Sequence, residues 1–214
     1  MSPLVNLLVT GGIATGKSTF CQILKETLPD AAFFDCDACV HELLTSPDVV
    51  GRIVASLGSD LQAPDGSLDR TRISALVFQD SGKRRLLEEM LHPLVRQACS
   101  QAQRHAEEQS RIRFFVADVP LFYETGFPFQ ADLQIVIACD PVTQRARLVS
   151  RTKQHAHHQI DSRLAAQLPI LEKVNRASTV LWNGGQPAAL SAQSHLFISW
   201  LIQKFPPPKN SQPL

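Results

Sequence analysis

The sequence predicts a doubly wound α/β domain on a parallel sheet, and three observations carry that reading. The apolar run Leu4-Val5-Asn6-Leu7-Leu8-Val9 feeds straight into a glycine-rich turn and then a helix-like stretch. Four more short apolar runs, at 31–34, 113–118, 133–138 and 179–182, alternate with segments of helical period. Three of these five runs end on glycine-rich or acidic residues, as strands do where an open α/β sheet binds its ligand. A chain of 214 residues suffices for one such domain with a full core and a small helical insertion. Its 44% hydrophobic and 19% charged content is ordinary, and a net charge of +1 gives no whole-chain case for nucleic acid or a membrane surface.

Each element has its own signal. Leu4–Thr10 is continuously apolar, so it reads as a central parallel strand. Lys17–Leu28 repeats Phe20, Ile23, Leu24 and Leu28 at helical spacing and is stopped by Pro29-Asp30. Ala31–Phe34 is a short strand ending at Asp35-Cys36-Asp37. Residues 40–110 hold three or four helices and no strand, punctuated by Ser46-Pro47, the turn Ala63-Pro64-Asp65-Gly66 and Ser81-Gly82. Arg113–Asp118, Leu133–Ala138 and Thr179–Trp182 complete the strands. Pro141–Ala177 is helical and arginine-rich, Ala188–Lys204 is a closing helix, and Pro206-Pro207-Pro208 opens a tail expected to be disordered.

Gly11-x4-Gly16-Lys17-Ser18 lies where a phosphate-binding loop has to lie, between a buried strand and a helix N-terminus. Gly11, Gly12 and Gly16 let the backbone turn tightly and approach an anion. Successive N–H groups from Gly12, Ile13, Ala14, Thr15, Gly16, Lys17, Ser18 and Thr19, aided by the helix dipole, then surround it. Lys17 reaches the β- and γ-phosphates, and the Ser18 hydroxyl can ligate magnesium. The expected ligands are therefore ATP and Mg²⁺, on a P-loop NTPase-type, three-layer α/β/α fold.

Carboxylates at the other strand ends suit transfer chemistry. Asp37, just past the second strand, is the preferred base for an attacking hydroxyl, with Asp35 an alternative as base or as helix cap. Asp118 follows four apolar residues as a Walker-B aspartate would, or is a turn residue before Pro120. Val119 stands where motor ATPases often carry a water-activating glutamate, and no Asn-Lys-x-Asp guanine motif occurs. Arg145, Arg147, Arg151 and Arg163 fall in one helical pair joined by Thr152–Gln159, with Arg147 and Arg151 on one face. That pair reads as a mobile lid carrying arginines over the phosphates, or as a solvated hairpin. His155, His157 and His158 read as an exposed polar loop, and the five scattered cysteines as plain thiols. No signal peptide or membrane span is expected, which points to the cytoplasm.

Together these residues resemble the dephospho-CoA kinase family over about residues 5–195. The resemblance rests on Thr10–Thr19, Asp35-Cys-Asp37 with His41, Asp65-Gly-Ser-Leu-Asp-Arg70 with Val77-Phe78, Leu87-Glu88, His92-Pro93-Leu94-Val95-Arg96, and Asp118-Val-Pro-Leu-Phe-Tyr-Glu124. It continues through Gln144, Arg147-Leu148, Arg151, Arg163, Gln167, Lys173 and Asn183-Gly184-Gly185. The resemblance implies a five-stranded parallel sheet and transfer of the ATP γ-phosphate to the ribose 3′-hydroxyl of dephospho-CoA. Residues 1–45 and 111–205 would form the nucleotide-binding core with a lid over about 147–175, residues 46–110 the helical acceptor-binding domain, and 206–214 the tail.

By the same resemblance Asp37 is the base, and Lys17, Arg147 and Arg151 act on the phosphates. His41, Arg70, His92, Pro93, Leu121 and Glu124 then contribute to acceptor binding. Two departures stand out: Ala14-Thr15 where the family usually has Gly-Ser, and Ala177-Ser178 where it usually has Ala-Asp. The rivals are a shikimate-kinase-like enzyme, whose mid-chain glycine triplet is missing here, and an ATP-binding regulatory module without transfer chemistry.

Overall fold

The computed structural model describes residues 4–152 and 160–207. The first apolar run forms a strand over Val5–Gly11 (β1), and Leu7, Leu8 and Val9 are wholly buried. The remaining strands are Ala31–Asp35 (β2), Phe114–Asp118 (β3), Leu133–Ala138 (β4) and Thr179–Trp182 (β5). They form one five-stranded parallel sheet in the order β2-β3-β1-β4-β5. Val9 registers with Asp118 on one side, and Gly11 with Ile137 on the other. β1 is thus the central strand, and at their C-terminal ends β1 and its neighbour β3 send the chain in opposite directions, β1 toward β2 and β3 toward β4. That is the switch point where an open α/β sheet opens a crevice for ligands.

Helices cover the sheet. Lys17–Thr27 (α1) buries Phe20, Cys21 and Leu24. Pro187–Lys204 (α10) buries Leu190, Phe197, Ile198 and Leu201, and both sets join β1 and β4 side chains in one core. Phe20 and Phe197 meet with ring centroids 5.9 Å apart in a tilted arrangement. The closing helix starts at Pro187, one residue before the expected Ala188, because proline suits a first helical turn where its missing N–H costs nothing. The third strand begins at Phe114 rather than Arg113, whose N–H donates to the Asp30 carbonyl at 2.9 Å and whose guanidinium pairs with the Asp30 carboxylate.

Two compact units divide the chain: Met1–Phe34 with Gln103–Leu214, and Asp35–Ala102. The second contains Cys36–Leu43 (α2), Pro47–Leu57 (α3), a 3₁₀ turn at Ser59–Leu61, Arg70–Gln79 (α4) and the start of Ser81–Glu108 (α5). Its own core gathers Val49, Val50, Ile53, Leu57, Leu61, Leu68, Ile73 and Leu91. The Pro64-Asp65-Gly66 turn is real: Gly66 has φ 85, and Asp65 Oδ1 accepts from the N–H and hydroxyl of Ser67 at 3.0 and 2.6 Å. Asp69 caps α4 by accepting from the N–H groups of Thr71 and Arg72 at 3.0 and 3.1 Å.

The arginine-rich stretch resolves into Pro141–Arg151 (α7), Ile160–Ala165 (α8) and Ile170–Arg176 (α9), and the short Phe122–Thr125 (α6) follows β3. His155, His157 and His158, the middle of the expected lid, and tail residues 208–214 lie outside the described residues.

Phe20 is wholly buried, whereas Leu196 on the outer face of α10 is 72% exposed. Phe20→Ala should therefore lower the unfolding free energy by about 3–5 kcal/mol. Leu196→Ala should change it by less than about 0.5 kcal/mol. Denaturant unfolding of the two variants checks both values.

Candidate active site

The glycine-rich loop runs from the end of β1 to the start of α1. Gly16 precedes α1 with φ 103, a conformation that L side chains resist, and a Cβ there would collide with the Asn183 amide. A Cβ on Gly12 would sit 2.6 Å from Gln144 Nε2. No side chain caps α1. The N–H groups of Lys17, Ser18 and Thr19 have no helical carbonyl behind them, so they are donors available to an anion. Ser18 and Thr19 are exposed.

Most of the loop's carbonyls are taken up by side chains from far along the chain. Gln144 on α7 donates to the Ile13 carbonyl at 2.8 Å, and Asn183 after β5 donates to the Thr15 carbonyl at 2.8 Å. Lys173 on α9 donates to the Gly11 carbonyl at 3.1 Å, and the Thr15 hydroxyl donates to the Gly12 carbonyl at 2.8 Å. From the α8–α9 connection, Gln167 accepts the Ile13 N–H at 2.9 Å. Lys173 is wholly buried and forms a 2.6 Å ion pair with Glu124, whose same oxygen accepts the Leu168 N–H at 2.9 Å. The other Glu124 oxygen is buried without a partner among the described residues. Glu124, an acceptor residue by resemblance, thus also anchors the lysine that holds the loop.

Lys17 pairs with Asp118 at the end of β3, both side chains being mostly buried. The second Asp118 oxygen accepts from the Cys21 thiol at 3.4 Å. Burial first, then the Asp118 charge, push that thiol far above the ordinary range, so it stays protonated as a donor. On α7, which Asp140 caps through the Thr143 N–H at 2.8 Å, Arg147 reaches Asn183 Oδ1 at 3.5 Å. Its NH1 is buried with no partner among the described residues. Arg151, one turn on, is exposed, and Arg145 pairs with Asp161 of α8.

In the second unit Asp35 is the N-cap of α2, its Oδ1 accepting the Ala38 N–H at 3.0 Å, while Asp37 is exposed in the first turn. The cap reading open for Asp35 is the one observed. Arg70 places its two terminal nitrogens 2.7 and 2.9 Å from the ring nitrogens of His41. Arg70 also borders a cleft of about 530 Å³ with Asp65, Ser67, Leu44 and Val50. His92 is half-buried and Pro93 exposed inside α5, and Leu121 is exposed after β3. Ser178, in place of the usual aspartate, accepts the Gln134 N–H at 2.6 Å and so ties the start of β5 to β4.

A family model described as Dephospho-CoA kinase matches residues 5–188. The chain belongs to the dephospho-CoA kinase family. The dephospho-CoA kinase of Symbiobacterium thermophilum is 40% identical over 188 residues, covering 86% of this chain and 76% of that one. That of Anaeromyxobacter dehalogenans is 38% identical over 188 residues, 87% of each chain. Among solved structures, the Campylobacter jejuni dephospho-CoA kinase aligns with TM-score 0.66 and 24% identity over 93% of this chain and 98% of that one, a likeness of fold. As a member of this family the chain is a kinase that uses ATP and acts on a small molecule. No helix among its described residues is long and apolar enough to cross a membrane.

Sequence reasoning attaches no role to Gln144, Gln167, Lys173 and Asn183 beyond their place in the dephospho-CoA kinase series. The one local signal was polarity where burial was due, as at Lys173 on the inner side of α9 beside buried Ile170.

Removing the buried lysine strands a carboxylate. Lys173→Ala should lower stability by about 3–5 kcal/mol. The double variant Lys173→Met with Glu124→Leu should recover more than half of that loss, because no charge is then left unpaired. Urea unfolding of the three proteins checks the order.

Proposed function

We propose that the chain transfers the γ-phosphoryl group of ATP to the ribose 3′-hydroxyl of dephospho-CoA, giving coenzyme A and ADP. The observation that carries this reading is the braced loop at the end of the central strand, in a chain whose family match runs from residue 5 to 188.

ATP sits with its phosphates on the Gly12–Thr19 backbone at the start of α1. Lys17 exchanges its Asp118 partner for the β- and γ-phosphate oxygens. Arg147 NH1, buried with no hydrogen-bond partner among the described residues, supports a role toward the same oxygens, since a desolvated guanidinium nitrogen needs an acceptor. Arg151, exposed one turn away, adds a second cation. Ser18 and Asp118 supply a hydroxyl and a carboxylate, a hard-oxygen donor pair that fits magnesium. Bound there, Mg²⁺ would neutralise charge on the phosphate oxygens.

On the acceptor side Asp37 takes the proton of the 3′-hydroxyl as its oxygen bonds to the γ-phosphorus. The bond to the β-phosphate oxygen breaks, and ADP leaves with that electron pair. Because such transition states are loose, proton removal is a modest contribution, and positioning with charge neutralisation supplies most of the rate. His41, Arg70, His92, Pro93, Leu121 and Glu124 contribute to holding the acceptor. Arg70, exposed beside its cleft, suits an acceptor phosphate.

Product formation from ATP and dephospho-CoA tests the reading. Turnover should depend strictly on that acceptor; turnover with shikimate, or nucleotide binding without any product, would overturn it. Lys17→Ala and Asp37→Ala should each fold normally and lose at least about a hundredfold in kcat/KM. Full activity in Asp37→Ala would remove that residue from the role of base.

A further inference from the structure

Ala14 is the one non-glycine residue with positive φ among the described residues, at φ 61. Alanine resists this region because its Cβ crowds the following carbonyl, so the surrounding structure has to impose it. The peptides on either side of Ala14 are both held. The Ile13 carbonyl, part of the Ile13–Ala14 peptide, accepts from Gln144 Nε2 at 2.8 Å. The Ile13 N–H, one peptide earlier, donates to Gln167 Oε1 at 2.9 Å. On the far side the Thr15 N–H, part of the Ala14–Thr15 peptide, donates to the Gly12 carbonyl at 3.3 Å. With both flanking peptides held, a change of φ at Ala14 would have to break or strain at least one of these bonds.

We propose that Gln144 and Gln167 are positioning residues for the phosphoryl transfer, acting through Ile13 to hold Ala14 left-handed and keep the loop in its anion-binding form. The inference rests on the kinase reading, and it concerns this chain's own alanine. A glycine at position 14 would adopt the same φ unaided, whereas alanine depends on the two amides. The direction of each bond is set by chemistry: a carbonyl only accepts, so Gln144 presents its NH₂, and an N–H only donates, so Gln167 presents its oxygen.

The test measures ADP affinity by calorimetry, which needs no acceptor, together with kcat at saturating ATP and dephospho-CoA. Gln144→Met and Gln167→Met keep side-chain length and remove the hydrogen bonds. Each should weaken ADP binding by about tenfold and lower kcat per folded molecule in the parent chain. In the Ala14→Gly background the same substitutions should cost no more than about threefold. Gln144→Glu should lose more than Gln167→Glu, because both add the same charge but only the latter still accepts an N–H. Equal losses in both backgrounds, an inverted Glu order or unchanged ADP affinity would each overturn the proposal. Gln167→Met, which releases a single N–H, decides the matter if Gln144→Met fails to fold. A parent chain that binds ADP but makes no coenzyme A would overturn the kinase reading while the affinity series still tests the amides.

Discussion

A loop that surrounds an anion with N–H groups must satisfy its carbonyls elsewhere, because an unpaired buried carbonyl costs about 1–3 kcal/mol. The rest of this site follows from that constraint. The carbonyls of Gly11, Ile13 and Thr15 are met by Lys173, Gln144 and Asn183, each from a different element. The order of the sheet makes this reachable, since β1 lies between β3 and β4 and the elements following β4 and β5 return to its C-terminal end. Polar side chains on α7, α9 and after β5 therefore belong to the glycine-rich loop through the backbone they hold.

The electrostatics have the same economy. Lys17 shares Asp118 with the Cys21 thiol, a mostly buried cation–anion pair beside a neutral donor. Holding the lysine against a carboxylate compensates its charge at a mostly buried position. Lys173 is instead wholly buried, paired with Glu124 and donating to the Gly11 carbonyl. The two lysines thus divide the work, one binding the loop and one available to ligand.

The strands, the loop and the run of helices between β2 and β3 were legible in the sequence because each is a local pattern: apolar runs, the glycine spacing, and turn residues such as Pro64-Asp65-Gly66. Boundaries shifted where a side chain intervened, as at Asp35, whose cap on Ala38 starts α2 at once and leaves Asp37 in its first turn. The braces were not legible, because they join residues 131 to 168 positions apart and no local period encodes them. Ala14 read as a small loss of backbone freedom, and only its φ of 61 gives that loss a location and a direction. Ser178 likewise read as a missing carboxylate, whereas its hydroxyl bonds the backbone of β4.

Amide-resolved hydrogen exchange of the nucleotide-free chain tests most directly whether the loop is built before its ligand arrives. The bonds from Ile13 N–H to Gln167 and from Thr15 N–H to Gly12 predict slow exchange at both amides without nucleotide. Lys17, Ser18 and Thr19 should exchange fast until ADP is added and slowly afterwards. Fast exchange at Ile13 and Thr15 in the free protein, slowed only by nucleotide, would contradict a loop held in place by its own chain.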